Sequence, residues 1–127
     1  MTGISVNAHI NEILTNDSVL SGMTQDIYPV IAENDVNFPF VLHMRDSIAP
    51  IDTKNIIVGD KVQFSIAIVS DNYKTGITIA ERIRLLLDKR RDGYFKECIL
   101  IGATEDYLND AYVQRLRFAA TIFANNN

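Results

Sequence analysis

A single cysteine, Cys98, stands among the 127 residues. No internal disulfide can form, and a cysteine-based zinc site has too few ligands; such usage fits a reducing compartment. Glycine never clusters: Gly3, Gly22, Gly59, Gly76, Gly93 and Gly102 are isolated, so no glycine-rich loop is present to cradle a phosphate. No run reaches the roughly 18 apolar residues that a membrane-spanning helix needs. Met1–Asn16 lacks the basic start and long apolar stretch of a cleaved secretion signal. Positive charge is also short. Lys and Arg number 12 against 16 Asp and Glu, a net charge of −4, which argues against a strongly basic nucleic-acid surface. What remains is an ordinary globular composition, 47% apolar and 22% charged, in a length suited to one domain over 1–127.

Apolar periodicity then organises the chain. Val6, Ile10, Ile13 and Leu14 fall on one face of a helix that opens at Ser5 and ends near Thr15. Ile27–Ile31 is a short β-prone run that should lie at an edge or be irregular, because Pro29 cannot donate to a ladder. Phe38–Ser47 alternates Phe40, Leu42 and Met44 with Val41, His43 and Arg45, a strand with one buried face to which Phe40 is assigned. Ala49–Asn55, with Pro50 and Asp52, reads as a connecting loop. Ile56–Val69 is the strongest strand, with Val62, Phe64, Ile66 and Ile68 on one side; paired with the preceding strand it makes an extended hairpin. Tyr73–Arg91 reads as the longer helix, striped by Ile79, Ala80, Ile83, Leu86 and Leu87 and stopped at Gly93. Strands over Phe95–Ala103 and Tyr112–Phe123 close the chain around an acidic turn. The order is α-β-β-β-α-β-β, an α+β fold with an antiparallel sheet packed against two helices. Its core is expected to hold Phe64, Ile66, Ile83, Leu87, Leu116 and Phe118.

Catalytic groupings are sparse. His9 and His43 lie in different elements, and the plainer reading makes both surface or half-buried residues. Cys98, in an apolar strand, reads as a small core residue. Glu105, Asp106 and Asp110 lack the alternating ligands of a calcium loop and read as a solvated turn. The one concentration of positive charge is Lys89, Arg90 and Arg91 with Arg82 and Arg84 before it. It either complements its own helix dipole or meets an acidic partner, including another copy of this acidic chain. No cofactor or metal is expected.

The segments in order resemble the tail completion proteins of long-tailed bacteriophages, also called tail terminator or tail-to-head joining proteins. The likeness runs from about Ile10 to Ile122. Its carriers are Ile13-Leu14, Ile27-Tyr28-Pro29, Phe38-Pro39-Phe40-Val41, Val62–Ser70 followed by Tyr73, the helix Ala80–Leu86, and Val113–Phe118. These are patterns of alternation and length, and Ala49–Asp60 and Glu105–Asp110 match least clearly. The resemblance implies a non-enzymatic subunit of a phage, prophage or tail-like particle. It caps the tail tube and joins it to the head connector as a ring, usually hexameric. Its implied partners are itself, the tail tube protein and the head-connector protein, with DNA passing through unbound and no membrane involved. The implied location is the virion tail, and the host cytoplasm during assembly. The alternative is a small ligand-binding or regulatory α+β domain, which would need a pocket where His43 and Asp46 converge.

A ring needs two different faces on each subunit. The expected pair is Lys89, Arg90 and Arg91 against Glu105, Asp106 and Asp110. Ile48, Ile51, Ile56 and Ile57 are expected on a mobile hairpin tip that orders against a partner.

Overall fold

A computed structural model describes residues 2–32, 36–53 and 56–123. A 3-10 turn over Gly3–Ser5 leads into α1 (Val6–Asn16) and the single-turn α2 (Ser18–Ser21). Then follow β1 (Ile27–Pro29), β2 (Phe40–Thr53), β3 (Ile56–Ser70), α3 (Tyr73–Leu87), β4 (Phe95–Leu108) and β5 (Ala111–Phe123). The fold is α+β, as the periodicity predicts. The strands form one sheet in the order β1-β2-β3-β5-β4. Long antiparallel ladders join β2, β3, β5 and β4, whereas β1 runs parallel to β2. The sheet is therefore mixed rather than wholly antiparallel.

Several boundaries move for identifiable reasons. Ala49–Thr53 is strand, not loop: Pro50 stands opposite Asp60, and β1 pairs only with Val41–His43, so no ladder needs a donor from Pro50 on the outer side of β2. Helix α3 stops at Leu87 rather than Arg91. Asp88 is extended and accepts a hydrogen bond from Leu100 N at 2.9 Å, and Lys89, not Gly93, takes the left-handed conformation with φ 62°. Lys89–Arg91 thus lie beyond the helix. Strand β4 runs on through Glu105 and Asp106, and the turn falls on Asn109–Asp110, both at positive φ, as a two-residue hairpin between twisted strands requires.

Caps follow the short polar residues. Asn72 Oδ1 accepts from Thr75 N to open α3, and Asp17 accepts from Leu20 N to open α2. Ser5 makes no side-chain cap for α1. The chain start is held instead by Gly3 N, which donates to Asp60 Oδ2 at 2.8 Å. Gly3 sits so close to Val62, Ile48 and Asp60 that a Cβ would come within 2.6–2.9 Å of them.

Helices α1 and α3 cover one face of the sheet. Val6, Ile10 and Leu14 from α1 and Ile79, Ile83 and Leu87 from α3 are fully buried against Val62, Phe64, Ile66 and Ile68 of β3 and Phe118 of β5. Phe64 and Phe118 are cross-strand partners with ring centroids 5.2 Å apart, and Phe95 stacks on the other side of Phe64 at 6.3 Å. In β2 the inward residues are Val41 and His43, not Phe40. Phe40 stacks on Phe38 at the other face, at 5.8 Å.

His43 is accordingly buried, where the sequence suggests a surface or half-buried residue. Its ring lies between Asn7 Oδ1 (3.4 Å) and Asn11 Oδ1 (3.3 Å), one helical turn apart on α1. A neutral imidazole carries one N–H, so one of the two asparagines must turn its amide N–H2 toward the ring. Burial lowers the His43 pKa to about 4.

Two outcomes follow. Phe118→Ala should cost about 3–5 kcal/mol in urea titration, because it removes a fully buried ring stacked on Phe64; Phe40→Ala, on the outer face, should cost much less. The unfolded chain protonates His43 near its ordinary pKa of 6.5, and the folded chain only near 4. Between those values the unfolded state holds the extra proton, so stability falls as pH falls through this window, by up to about 3 kcal/mol. His43→Gln should flatten the slope of urea-derived stability over the same window.

Candidate functional site

The titratable groups that could serve catalysis are taken up by local structure. His9 lies on α1 with Nε2 2.9 Å from Asp92 Oδ2. The same carboxylate accepts from Arg90 Nε at 2.8 Å, Tyr94 N at 2.8 Å and Phe95 N at 2.6 Å. Burial pushes Asp92 up, but the bonds from Phe95 N, Arg90, His9 and Tyr94 N outweigh it and hold the carboxyl well below the usual range. His9 also packs against the Tyr94 and Phe95 rings at 4.6 and 4.9 Å. The group ties α1 to the loop between α3 and β4. A second clasp joins Arg82 of α3 to Asp17 by two hydrogen bonds of 2.9 and 2.7 Å.

His43 and Asp46 do not converge. His43 lies under α1, whereas Asp46 is the extra residue of a bulge between Arg45 and Ser47 and accepts a hydrogen bond from Ser65 Oγ on the opposite face. Cys98 is buried, and its thiol is pushed up to about 12 by burial, with Asp88 and Asp92 adding to the effect. Such a thiol is the reverse of an activated nucleophile. Among the described residues no cluster of His, Cys, Asp and Glu is placed to hold a metal ion, and no helix is long and apolar enough to cross a membrane.

The charged interface candidates separate along one strand. Lys89 and Arg91 are exposed in the loop that precedes β4. Arg90 is half-buried and bonded to Asp92 and to Leu86 O. Glu105, Asp106 and Asp110 belong to the far end of β4 and its turn, about 40 Å away at ~3.3 Å per residue. Glu105 accepts from Tyr73 OH and Gln114 Nε2, both at or below 2.9 Å, and these bonds, Gln114 first, lower its pKa. Asp106 and Asp110 are exposed, as are the neighbouring Tyr107 and Leu108 at 56% and 53%.

The apolar candidates also divide. Ile48 is half-buried and packed against the core beside Gly3, and Ile51 is half-buried farther along β2. The side chains of Ile56 and Ile57 lie outside the described residues, although the backbone of both belongs to β3.

The feature that sequence reasoning missed is the sheet face without helices. Leu42 and Met44 of β2, Ser65 and Ala67 of β3, and Arg115 and Arg117 of β5 stand side by side there, with Val30 at the rim. Together with Asp46, whose carboxylate accepts from Ser65 Oγ, they line a shallow recess of about 490 Å³. Val30 takes φ 65°, unusual for a β-branched residue, and Ile31 N bonds Pro29 O at 2.7 Å across it. Among the described residues neither Arg115 nor Arg117 has a carboxylate in ion-pair range. The alternation Arg115-Leu116-Arg117-Phe118 was the available signal: it puts two cations on the outer face opposite the core residues.

No family model matches the chain, and no curated protein matches its sequence. Among solved structures it is similar to a chain from the virion of a native gene transfer agent (GTA) particle, with a TM-score of 0.78 and 16% identity over 91% of this chain and 92% of that one. At that identity the likeness establishes the fold.

Proposed function

We propose that the chain is a structural subunit of a phage-type tail, from a phage, a prophage or a related particle. It caps the finished tail tube and joins it to the head connector. The observation that carries this reading is the agreement of fold, end to end, with a chain of a gene transfer agent virion. The order of segments that resembles tail completion proteins supports it independently. Its partners in this reading are copies of itself in a hexameric ring, the tail tube protein and the head-connector protein. It would occupy the virion tail, after assembly in the host cytoplasm.

The electrostatics agree with a ring that DNA crosses. A net charge of −4 per subunit offers a duplex few phosphate contacts and little counterion release, so DNA can pass without being held. The reading assigns no catalysis. His9 and His43 join α1 to its neighbours, and Cys98 is a buried free thiol.

Deleting the gene from the parent element should leave filled heads unattached and tails of uncontrolled length in electron micrographs. An antibody against the chain should mark the head-proximal end of complemented tails. Closed tails of normal length joined to heads in the deletion strain would overturn the proposal.

A further inference from the structure

We propose that the tip of the β4–β5 hairpin of one subunit docks on the uncovered sheet face of a second copy, with Asp106 and Asp110 against Arg115 and Arg117, and Leu108 against Leu42 and Met44. The inference deepens the assembly role above and depends on it only for where the contact is used.

The surfaces complement one another in both charge and polarity. The tip carries exposed carboxylates at Asp106 and Asp110 and an apolar side chain, Leu108, 53% exposed. The face carries two arginines without carboxylate partners among the described residues, beside Leu42 and Met44, the latter 43% exposed. Ala67 and Ser65 between them are small and leave the recess open. Asp46 at the same recess is held by Ser65, so two arginines stand against one carboxylate, and this apolar, net cationic patch is matched by the chain's own acidic and apolar hairpin end.

The alternative basic partner is weaker. Arg90 is already bonded to Asp92 and Leu86 O, and the recess beside it carries two carboxylates of its own, Glu12 and Asp17.

Edge-to-edge pairing is also hindered. Strand β1 has three residues and ends in Pro29, β2 carries a bulge at Asp46, and β4 carries register shifts between Phe95 and Glu97 and between Leu100 and Gly102. Such interruptions discourage sheet extension. Contact between a tip and a face is heterologous, since the two surfaces differ, and repeated contacts of that kind close into rings or run on as filaments. One hairpin end buries little area, so a single contact is weak in solution and gains from the closed assembly.

The test uses full-length chains with Cys98 retained. Leu108→Cys and Leu42→Cys variants are mixed at high concentration under mild oxidation. The mixed disulfide should form about tenfold faster than either homodimer, and high salt should slow it. Arg115→Glu with Arg117→Glu in the Leu42→Cys partner should abolish this preference, and Asp106→Lys with Asp110→Lys in the Leu108→Cys partner should restore it. Thermal unfolding of each variant checks that the substitutions, including that of the half-buried Leu42, leave the fold intact. No preference for the mixed adduct overturns the proposal. So does a preference that survives the arginine reversal but is lost on Lys89→Glu with Arg91→Glu. Binding of a labelled DNA duplex that needs Arg115 and Arg117, without the mixed adduct, overturns it in favour of a nucleic-acid face. A failed adduct with defective tails in the deletion strain removes only this contact; a sound adduct with normal tails removes only the tail role.

Discussion

Helices cover one face of a sheet whose strands run to 15 residues, and that one-sided cover governs what each position along a strand must be. Side chains alternate between faces, so a run such as Val62–Ile68 must be apolar at every second residue and is free between. The buried half supplies the cohesion. Phe64, Phe95 and Phe118 stack across β3, β4 and β5, and the stripes of α1 and α3 close over them. The other half is left for something else. At Lys61, Gln63 and Glu97 it is an ordinary solvated surface, but at Leu42, Met44 and Val30 it is apolar.

Covering a sheet with two helices creates a second requirement, namely fixing how the helices sit. Polar residues do this at the margins of the core. His43 rises from β2 between two asparagines of α1. Asp92 gathers Arg90, His9 and two backbone N–H groups, and so ties α1 to the start of β4. Asp17 caps α2 and holds Arg82 of α3. The contacts of His43, of His9 with Asp92 and of Arg82 with Asp17 join residues remote in sequence, and each carboxylate has several donors, which is the condition under which a partly buried charge is tolerated.

The fold was legible wherever one face was apolar and the other polar. The β3 run, the α3 stripe and Leu116–Ile122 alternate cleanly, and their buried sets agree with the structure. Strand β2 was not legible in the same way, because both its faces carry apolar residues: the larger set, Phe40, Leu42 and Met44, faces outward, while Val41 and His43 face the core. Hydrophobicity alone assigns the wrong face there. The ends of β2 and β4 were hidden by Pro50 and by Glu105-Asp106, residues that signal turns but are acceptable at an edge or an exposed ladder position. Helix α3 was read too long because Lys89–Arg91 suits a helix end as well as a loop beyond one. The histidine contacts could not be read at all, since they depend on which residues of α1 lie above which residues of β2.

The mismatch in β2 bears on function. An apolar outward face beside two arginines with no carboxylate partner among the described residues carries the hazard of nonspecific association in a monomer. The interrupted edges of the sheet limit that hazard in one direction: β1 is short and ends in proline, and β2 and β4 are bulged. What these features leave open is the outer face and the hairpin ends, surfaces of different kinds on one subunit. Contacts between unlike surfaces propagate with a fixed direction. Weak single contacts then favour assembly where a template holds several subunits together, because the effective concentration replaces the missing affinity. In the proposed role a tube end would be such a template, and an acidic chain assembled on it would present little for passing DNA to grip.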